Sequence, residues 1–401
     1  MISKMIIQKI GLARSRFSLY SAKLKLKLIN YFYLTKHEKL NNIVFFGSNH
    51  GRFTGDNSWH LYLWWRRKKS YTCFWITKDK KEYIRLNSEG FDVLLNSSLR
   101  YYYYLNVCRA AFFTHSFLDI FPNLYLIPPS IEIGYLTHDI APKRTRHAIK
   151  NRPITRGDEE RSYRESERVD YYISTSDFIT SCRSKALNVP ISKFHITGLP
   201  RNDILIDTRQ TERDNKRKVL YAPTWRTRDR FTELFPFEDF DPMKLVKFLE
   251  ENDITILVRC HKNDLRFKEV TDKIKNLTDL SPNIVDATHA TSGDVNSILT
   301  DVDVLISDYS GIIHDFLLLD RPIIGVLYDY EAFEAEYGFF YDLKKMFPGT
   351  CVASQAQLFT AIIKGIEQSS IGCEKRDKLR GIIFEDMDGN SCERIFKMME
   401  L

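Results

Sequence analysis

The feature that most constrains the fold is an alternation, from residue 41 onward, of short β-rich apolar runs with helical stretches. This alternation is typical of βαβ units, in which parallel strands are buried beneath crossover helices. The strands are predicted in two sets. The first set comprises residues 43–46, 71–76, 91–95, 111–114, 133–137 and 171–174, and the second comprises residues 218–222, 254–259, 283–286, 303–307 and 323–327.

The length of the chain predicts more than one domain. At 401 residues it exceeds the roughly 250–300 residues at which a single hydrophobic core stops growing. We predict an N-terminal segment at 1–40 and two Rossmann-like, doubly wound α/β domains at 41–207 and 208–401. The charge-rich stretch 143–168 is expected to form a solvated helix or lid. In such folds ligands bind at the carboxyl ends of the strands, so the site is expected in a cleft that both domains face.

The positive charge of the chain lies in its first forty residues. They hold nine basic residues and one acidic residue, a net +8, so the other 361 residues carry −1 of the total +7. Within residues 6–31 the apolar side chains recur at steps of three and four, on a helical stripe without Lys or Arg. We interpret the segment as a basic amphipathic anchor on an anionic membrane surface. The alternative is a helix packed on the protein with a solvated basic face.

Cysteine usage and hydropathy limit the compartment and the partners. Seven scattered cysteines, without a Cys-x-x-Cys or a His pair at metal-ligand spacing, indicate reduced thiols and no metal site. No apolar run approaches the roughly 18 residues of a spanning helix, and no uninterrupted signal-peptide core is present. We therefore expect a peripheral protein on the cytoplasmic face of the membrane. No nucleic-acid-binding motif accompanies the basic segment, so no nucleic-acid partner is predicted.

Polar residues follow two strands of the second set. Ser310 and Gly311 would open a helix, where free N–H groups and the helix dipole favour a phosphate; an ordinary N-cap is the alternative. At the end of strand 218–222, Arg226 can clamp a phosphate through its planar fork, and Trp225 offers a stacking face. A solvated Arg after a core strand is the alternative there.

A third polar strand end and two places in the first domain complete the candidates. Arg259 and His261 follow strand 254–259, and three polar strand ends converging on one crevice would make a site. His138 ends strand 133–137, and its unperturbed pKa near 6.5 suits a general base, although a lone His is more often structural. Arg201 and Asn202, in the turn 197–203, would face the cleft or cap the following segment.

Taken in order, these residues and several short motifs resemble the CDP-glycerol glycerophosphotransferase family, which includes teichoic acid primases and polymerases and their capsule-polymer relatives. The resemblance runs from about residue 41 to the C-terminus. Each motif is short, but their joint order is specific. The motifs are Asp56-Asn57, the tyrosine run 98–104, residues 197–203, 222–226 and 307–311, Asp315-Phe316, and residues 337–342 followed by 347–349.

The resemblance implies a glycosyltransferase-like fold of the B type, with 41–207 as acceptor domain and 208–401 as CDP-donor domain. It implies transfer of glycerol phosphate, or a related alditol phosphate, from CDP-glycerol or a CDP-alditol to a lipid-linked or oligosaccharide acceptor. CMP would be released, and no metal or other cofactor would be required. His138 would act as base. The substrate-binding residues would be Arg201, Asn202, Thr224, Trp225, Arg226, Arg259, His261, Ser307, Asp308, Ser310, Gly311 and Asp315.

The chain departs from the family pattern at two places. Family members usually show a His-Gly-Thr-Pro turn, whereas this chain has His138-Asp139 with Pro142 one place later. An acidic neighbour can raise the pKa of His138 or orient its ring, so Asp139 is predicted as a second catalytic residue and the local backbone is expected to differ. His314 stands in a helix turn where an apolar residue is common, and the sequence suggests no role for it.

Two other functions remain open from the sequence. A glycosyltransferase of the same architecture that uses a nucleotide sugar would cradle phosphates in a similar way. A non-catalytic, membrane-associated binding module is the alternative from another class. A dehydrogenase is disfavoured because residues 47–51 do not form the dinucleotide fingerprint. By family analogy, the lack of a further large N-terminal domain favours a primase or a capsule-type enzyme.

Overall fold

A computed structural model of the chain describes residues 42–123, 127–138, 140–151, 154–207, 217–226, 230–288 and 293–400. The predicted anchor at 1–40 lies outside these residues. Contacts divide the chain into two compact units, whose bounds differ from the predicted division at residue 208. The first unit runs to His138 and includes Glu167–Tyr172; the second comprises Asp139–Ser166 and Ile173–Leu401.

The first sheet has seven strands in the order β3-β2-β1-β4-β5-β6-β7. The pairs from β3 to β6 are parallel. Its core is aromatic: Phe46 lies opposite Trp75 on one neighbour and Phe112 on the other, and all three side chains are buried. The strands are β1 (Ile43–Gly47), β2 (Thr72–Thr77), β3 (Val93–Leu95), β4 (Cys108–Phe113), β5 (Glu132–Tyr135), β6 (Tyr171–Ser174) and β7 (Phe194–Ile196).

The second sheet has six parallel strands in the order β10-β9-β8-β11-β12-β13. Its core is mainly aliphatic and includes Val219, Ile256 and Ile306. All eleven strands predicted from the sequence are present; β7 of the first sheet and the two-residue edge strand β13 were not predicted. The strands are β8 (Arg217–Tyr221), β9 (Ile254–Val258), β10 (Ile284–Asp286), β11 (Val304–Ser307), β12 (Ile323–Gly325) and β13 (Thr350–Cys351).

In both sheets the first strand in sequence lies inside the sheet, and the strand order reverses beside it. The reversal falls between β1 and β4 in the first sheet and between β8 and β11 in the second. We call these two places the first and second switch points. In open α/β sheets, ligands bind beyond the carboxyl ends of the strands at such a switch point.

Helices connect the strands, and polar caps fix where several of them begin. The Asp79 side chain accepts the N–H groups of Lys81 and Glu82, and Asp241 caps a helix that starts with Pro242. None of the helices in the described ranges is long and apolar enough to span a bilayer. They are α1 (Asp56–Trp65), α2 (Lys80–Ser88), α3 (Leu99–Asn106), α4 (Arg156–Arg168), α5 (Asp177–Leu187), α6 (Asp203–Asp207), α7 (Pro242–Glu251), α8 (Lys268–Leu280), α9 (Val295–Leu299), α10 (Ile312–Leu317), α11 (Tyr330–Glu336), α12 (Leu343–Met346), α13 (Gln355–Glu367), α14 (Cys373–Ile383) and α15 (Ser391–Glu400).

The charge-rich stretch predicted as a solvated helix or lid forms two helical pieces. A 3-10 turn spans Arg146–Ala148, and α4 follows with mostly exposed residues. The turn is tied to this helix by an ion pair between Arg146 and Glu165, 3.5 Å apart, and by a 2.8 Å contact between His147 Nε2 and Ser162 Oγ. The prediction of a solvated helix is therefore confirmed.

Candidate active site

The second switch point brings polar strand ends together, as the sequence suggested. β9, β8 and β11 are neighbours, so the segments that follow them leave the sheet side by side. The Thr224 N–H donates to Asp308 Oδ1 over 2.8 Å, and Ser307 Oγ donates to the Ala222 carbonyl over 2.7 Å. Ser307 and Asp308 thus join the ends of β8 and β11.

Arg226 is the most buried cation of this switch point. Its side chain is fully buried; Nε lies 2.8 Å from Asp329 Oδ2, and one terminal nitrogen lies 2.9 Å from Asp308 Oδ2. The other terminal nitrogen donates to the Thr224 carbonyl over 2.5 Å. Burial alone would lower the pKa of Arg226, but the carboxylates nearby more than offset this and raise it. With its fork occupied by protein acceptors, Arg226 is placed to hold the β8 and β11 ends rather than to present an open phosphate clamp.

Trp225 and His261 form an aromatic pair at the same edge. Their rings are stacked with centroids 5.8 Å apart and an interplanar angle of 24°. His261 is exposed and accepts the Asn263 N–H at Nδ1 over 3.1 Å, which leaves Nε2 as the protonated nitrogen of the neutral ring. Within the described ranges, the buried atoms Trp225 Nε1 and Thr224 Oγ1 have no hydrogen-bond partner. A bound polar ligand would satisfy such atoms.

Arg259 lies beside this pair, after β9. Its two terminal nitrogens donate to the carbonyls of Ala287 and Gly293, over 2.7 and 2.8 Å. Burial lowers the pKa of the guanidinium, and the charges of Asp294 and Asp286 act in the opposite direction. No carboxylate ion pair to Arg259 is formed within the described ranges. Its charge is therefore less compensated than that of Arg226.

Ser310 and Gly311 connect β11 to α10. Gly311 is the N-cap residue and has ordinary right-handed backbone angles, with φ −62° and ψ −19°. Ser310 Oγ accepts the Ile312 N–H over a long 3.4 Å. The predicted helix opening is therefore present, although α10 itself has only six residues.

A second buried network lies behind α10. Arg201 pairs with Asp315 over 3.0 Å, and both side chains are more than nine-tenths buried. Asn296 Nδ2 donates to the Arg201 carbonyl over 3.0 Å and to Asn202 Oδ1 over 3.2 Å. In the described part of the chain, the buried atoms Asn202 Nδ2 and Asn296 Oδ1 have no partner. The structure thus connects the turn 197–203 to the helix that follows β11.

His314, to which the sequence assigned no role, is fully buried on α10. Its Nδ1 lies 2.5 Å from the Ile140 carbonyl, and its Nε2 lies 2.9 Å from the Tyr341 hydroxyl. Because a carbonyl can only accept, the proton of the neutral ring lies on Nδ1. His314 therefore connects α10 to Ile140, which lies two residues after His138 in the chain.

His138 belongs to the first unit, at the end of β5. The preceding Thr137 has a left-handed backbone with φ +47°, which is unusual for a β-branched residue. Asn57 Nδ2 holds this strained turn by donating to the Leu136 and Thr137 carbonyls, over 3.0 and 2.8 Å. Asp139 lies outside the described residues, so its predicted catalytic role stays a prediction. Asn57, which the sequence indicated only as part of the motif Asp56-Asn57, is thus the residue that holds the turn before His138.

Two histidines at the first switch point, His50 and His115, were not among the site residues predicted from the sequence. His50 follows β1 and His115 follows β4, and both N–H groups donate to the buried carboxylate of Asp119, over 2.7 and 2.8 Å. Burial raises the pKa of Asp119 to about 7. The rule that identified His138, a polar residue directly after a buried strand, would also have identified His115.

Three kinds of comparison with known proteins bear on this arrangement. The sequence pattern of the family described as CDP-glycerol:poly(glycerophosphate) glycerophosphotransferase matches residues 29–401. The chain belongs to this family. The predicted enzyme class, a glycerophosphotransferase that uses a CDP-activated donor, is thereby confirmed.

Individual relatives agree with this assignment. A teichoic acid glycerol-phosphate transferase of Staphylococcus aureus (strain NCTC 8325 / PS 47) is 27% identical over 378 residues, which cover 88% of this chain and 92% of that protein. The teichoic acid ribitol-phosphate polymerase TarK of the same organism is 26% identical over 308 residues, which cover 70% of this chain and 54% of the polymerase.

Solved structures confirm the fold. The wall teichoic acid polymerase TagF matches with a TM-score of 0.72 at 20% identity, and the match covers 98% of this chain and 97% of that one. The TagF variant H444N soaked with CDPG matches with a TM-score of 0.70 over the same shares of both chains. At this identity the likeness establishes the fold alone, which is the predicted pair of Rossmann-like domains of the glycosyltransferase B type.

Proposed function

We propose that this enzyme transfers glycerol phosphate, or a related alditol phosphate, from a CDP-linked donor to a lipid-linked or polymer acceptor and releases CMP. The acceptor belongs to a teichoic-acid-like or capsule polymer. The observation that carries the proposal is the second switch point, where buried polar atoms without protein partners stand beside a cation that lacks a carboxylate ion pair in the described part of the chain. Family membership supplies the donor class.

The second unit holds the donor in this proposal. Arg259 and His261 supply charge and a ring N–H to the pyrophosphate, and Ser310 and Gly311 supply backbone N–H groups at the start of α10. Thr224 and Trp225 complete the site with a hydroxyl and an indole N–H. Arg226, Ser307 and Asp308 position these groups by fixing the strand ends, while Arg201, Asn202 and Asp315 support α10 from behind.

His138 in the first unit serves as the general base. The acceptor hydroxyl attacks the β-phosphorus of the donor, and its proton passes to the unprotonated ring nitrogen of His138. The new bond joins the acceptor oxygen to the β-phosphorus. The bond from that phosphorus to the oxygen bridging it to the α-phosphorus breaks, and CMP leaves with the electron pair. No metal is required, so turnover in excess EDTA is expected to equal turnover without it.

A donor screen tests the proposed reaction. The purified full chain is incubated with acceptor and, separately, with CDP-glycerol, CDP-ribitol and a panel of UDP-sugars, and the released nucleotide is identified. We expect CMP from a CDP-alditol and no UDP. Release of UDP without CMP would instead identify a nucleotide-sugar glycosyltransferase.

Substitution of the base tests the mechanism. His138→Ala is expected to lower turnover roughly 10²–10⁴-fold, the usual contribution of a general base. His147→Ala, a histidine on the turn Arg146–Ala148, serves as the matched control and is expected to keep wild-type turnover. Full activity of His138→Ala would favour a binding module or a different base.

We propose further that residues 1–40 dock the enzyme on the cytoplasmic face of an anionic membrane. The support is their net charge of +8 and the apolar stripe of residues 6–31. Deletion of residues 1–35 is expected to weaken binding to vesicles with anionic lipids, and to lower activity on a lipid-linked acceptor more than on a soluble one. Equal vesicle binding before and after deletion would contradict the anchor.

A further inference from the structure

The first switch point gathers three histidines from three strand ends. His50 follows β1, His115 follows β4 and His138 follows β5. The rings of His115 and His138 are almost parallel, with centroids 4.3 Å apart and an interplanar angle of 9°. His50 meets the His115 ring edge-on at 5.7 Å. The ring of His138, the proposed base, therefore stacks on the imidazole of His115, which was not among the residues predicted from the sequence.

Hydrogen bonds determine which nitrogen of each stacked ring carries the proton. The Asn49 N–H points to His115 Nδ1 over 3.3 Å, and the Thr114 hydroxyl lies 2.9 Å from the same nitrogen. A backbone N–H can only donate, so His115 Nδ1 must present its lone pair, and the proton lies on Nε2. A second proton on this ring would set two N–H groups against each other. The contact with Asn49 therefore favours the neutral form of His115.

The opposite tautomer is fixed in His138. Its Nδ1 lies 3.3 Å from the Thr114 carbonyl, which can only accept, so Nδ1 carries the proton. The basic lone pair then lies on Nε2, on the far side of the ring from the Thr114 carbonyl. Thr114 thus contacts both rings: its hydroxyl lies beside His115 Nδ1, and its carbonyl accepts from His138 Nδ1.

We propose that His115 is a positioning residue for His138: a neutral imidazole that holds the base ring in plane and allows that ring to become positively charged. A charged neighbour at 4.3 Å would oppose protonation of His138 through like-charge repulsion, whereas the face of a neutral aromatic ring attracts a cation. The inference rests on the proposed function, because it assumes that His138 takes up the acceptor proton.

The charged and titratable groups around the pair are consistent with this role. The Asp119 carboxylate accepts the backbone N–H groups of His50, Thr114 and His115, and it lies 3.9 Å from the His50 ring. Lys78 is near enough to Asp119 for the carboxylate to raise its pKa, although burial lowers that pKa overall. Asp119 thus fixes the backbone of His50, Thr114 and His115, whereas the ring that contacts His138 is that of His115.

Three variants separate positioning from simple support of the fold. His115→Ala removes the ring, His115→Phe keeps a flat ring without nitrogens, and His147→Ala is the control. We expect His115→Ala to lower kcat about 10- to 100-fold, as small misplacement of a catalytic group does, with KM for CDP-glycerol within about twofold of wild type. His115→Phe is expected to recover most of this loss. The pH at which kcat/KM falls on the acid side should shift in His115→Ala and remain near wild type in the control.

The tautomer of His138 gives a readout that does not need activity. In ¹⁵N-histidine-labelled full-length protein, NMR should show His138 protonated on Nδ1 and His115 on Nε2. His115→Ala should yield a mixture of His138 tautomers. Wild-type kcat, pH profile and tautomer in a folded His115→Ala protein would overturn the inference, as would a lower kcat with an unchanged pH profile and tautomer.

The failure of the proposed function would look different. If the wild-type enzyme released no CMP, or if His138→Ala remained fully active, the reaction or the base would be misassigned whatever His115 does. The NMR tautomers would then still decide whether His115 orients His138. Melting temperatures of all variants exclude loss of folded protein as the cause of a lower kcat.

Discussion

The two switch points share one backbone contact and differ in the side chains that surround it. In each, an aspartate in the segment that follows the fourth strand accepts a backbone N–H from the segment after the first strand: Asp119 from His50, and Asp308 from Thr224. Asp308 also faces the guanidinium of Arg226 at 2.9 Å. Asp119 instead lies 3.9 Å from the ring nitrogen Nδ1 of His50.

This difference matches the two proposed roles. A buried ion pair suits a site that must fix strand ends beside a polyanionic donor, because the raised pKa of Arg226 keeps its guanidinium charged in the physiological pH range. Titratable rings over a weakly compensated carboxylate suit a site that must take up a proton. The same sheet topology therefore supports binding in one unit and proton transfer in the other.

The largest effect is expected from breaking this buried ion pair. Arg226→Leu leaves the buried Asp308 and the neighbouring Asp329 without their shared cation, and loss of one partner of a buried pair costs about 3–5 kcal/mol. Calorimetry should show a clear fall in melting temperature. Arg230→Leu, at the exposed pair with Glu336, is the matched control and should cost less than about 1 kcal/mol. Equal losses of stability in the two variants would show that the buried ion pairs of Arg226 stabilise the fold no more than the exposed pair of Arg230 does.

A pH-dependent effect is expected from the first switch point. Burial raises the pKa of Asp119 from 3.8 to about 7, so the folded state binds its proton more tightly than the unfolded chain. The contribution of this group is therefore fully present below pH 4 and is lost as pH rises to about 7. At about 1.4 kcal/mol per pKa unit, the rise from 3.8 to about 7 corresponds to a loss of about 4 kcal/mol.

Asp119→Asn isolates this contribution. The variant does not titrate, so the free energy of unfolding of wild type minus that of the variant should decrease from pH 4 to pH 7. Denaturant unfolding at several pH values measures the difference. Parallel stability curves for the two proteins would mean that the Asp119 carboxyl keeps an ordinary pKa in the fold.

The strands were predictable because their apolar runs are visible along the chain, and parallel strands are buried on both faces. The edge strands β7 and β13 were not predicted, since segments of three and two residues are too short to carry a pattern. The meeting of the β8, β9 and β11 ends followed from the rule for doubly wound sheets. The order of strands within each sheet depends on the crossovers, which apolar runs do not specify.

Side-chain roles were less predictable where partners are distant in sequence. Arg226 looked like an open phosphate clamp because Asp329, more than one hundred residues later, gives no local signal of their contact. His314 had no interpretation because its partners, Ile140 and Tyr341, come from two other segments. His115 was a local signal that went unused: it directly follows a buried strand, as His138 does.

The smallest predicted effect concerns the close approach that allows Asp119 to lie at the first switch point. A Cβ added at Gly47 would stand 2.5 Å from the Asp119 carbonyl oxygen and 2.8 Å from Ile120 Cγ1, so the backbone around Asp119 would have to move. Overpacking of this kind costs about 1–3 kcal/mol, and we expect Gly47→Ala to lower the free energy of unfolding by that amount. Gly381→Ala in α14 is the matched control: its Cβ meets nothing within 4 Å, so the helix should gain about 0.4–1 kcal/mol. Displacement of Asp119 also moves the backbone of His115, whose N–H the carboxylate accepts. Gly47→Ala should therefore lower kcat as well as stability. A loss of stability at constant kcat would show that packing at this switch point does not affect proton transfer.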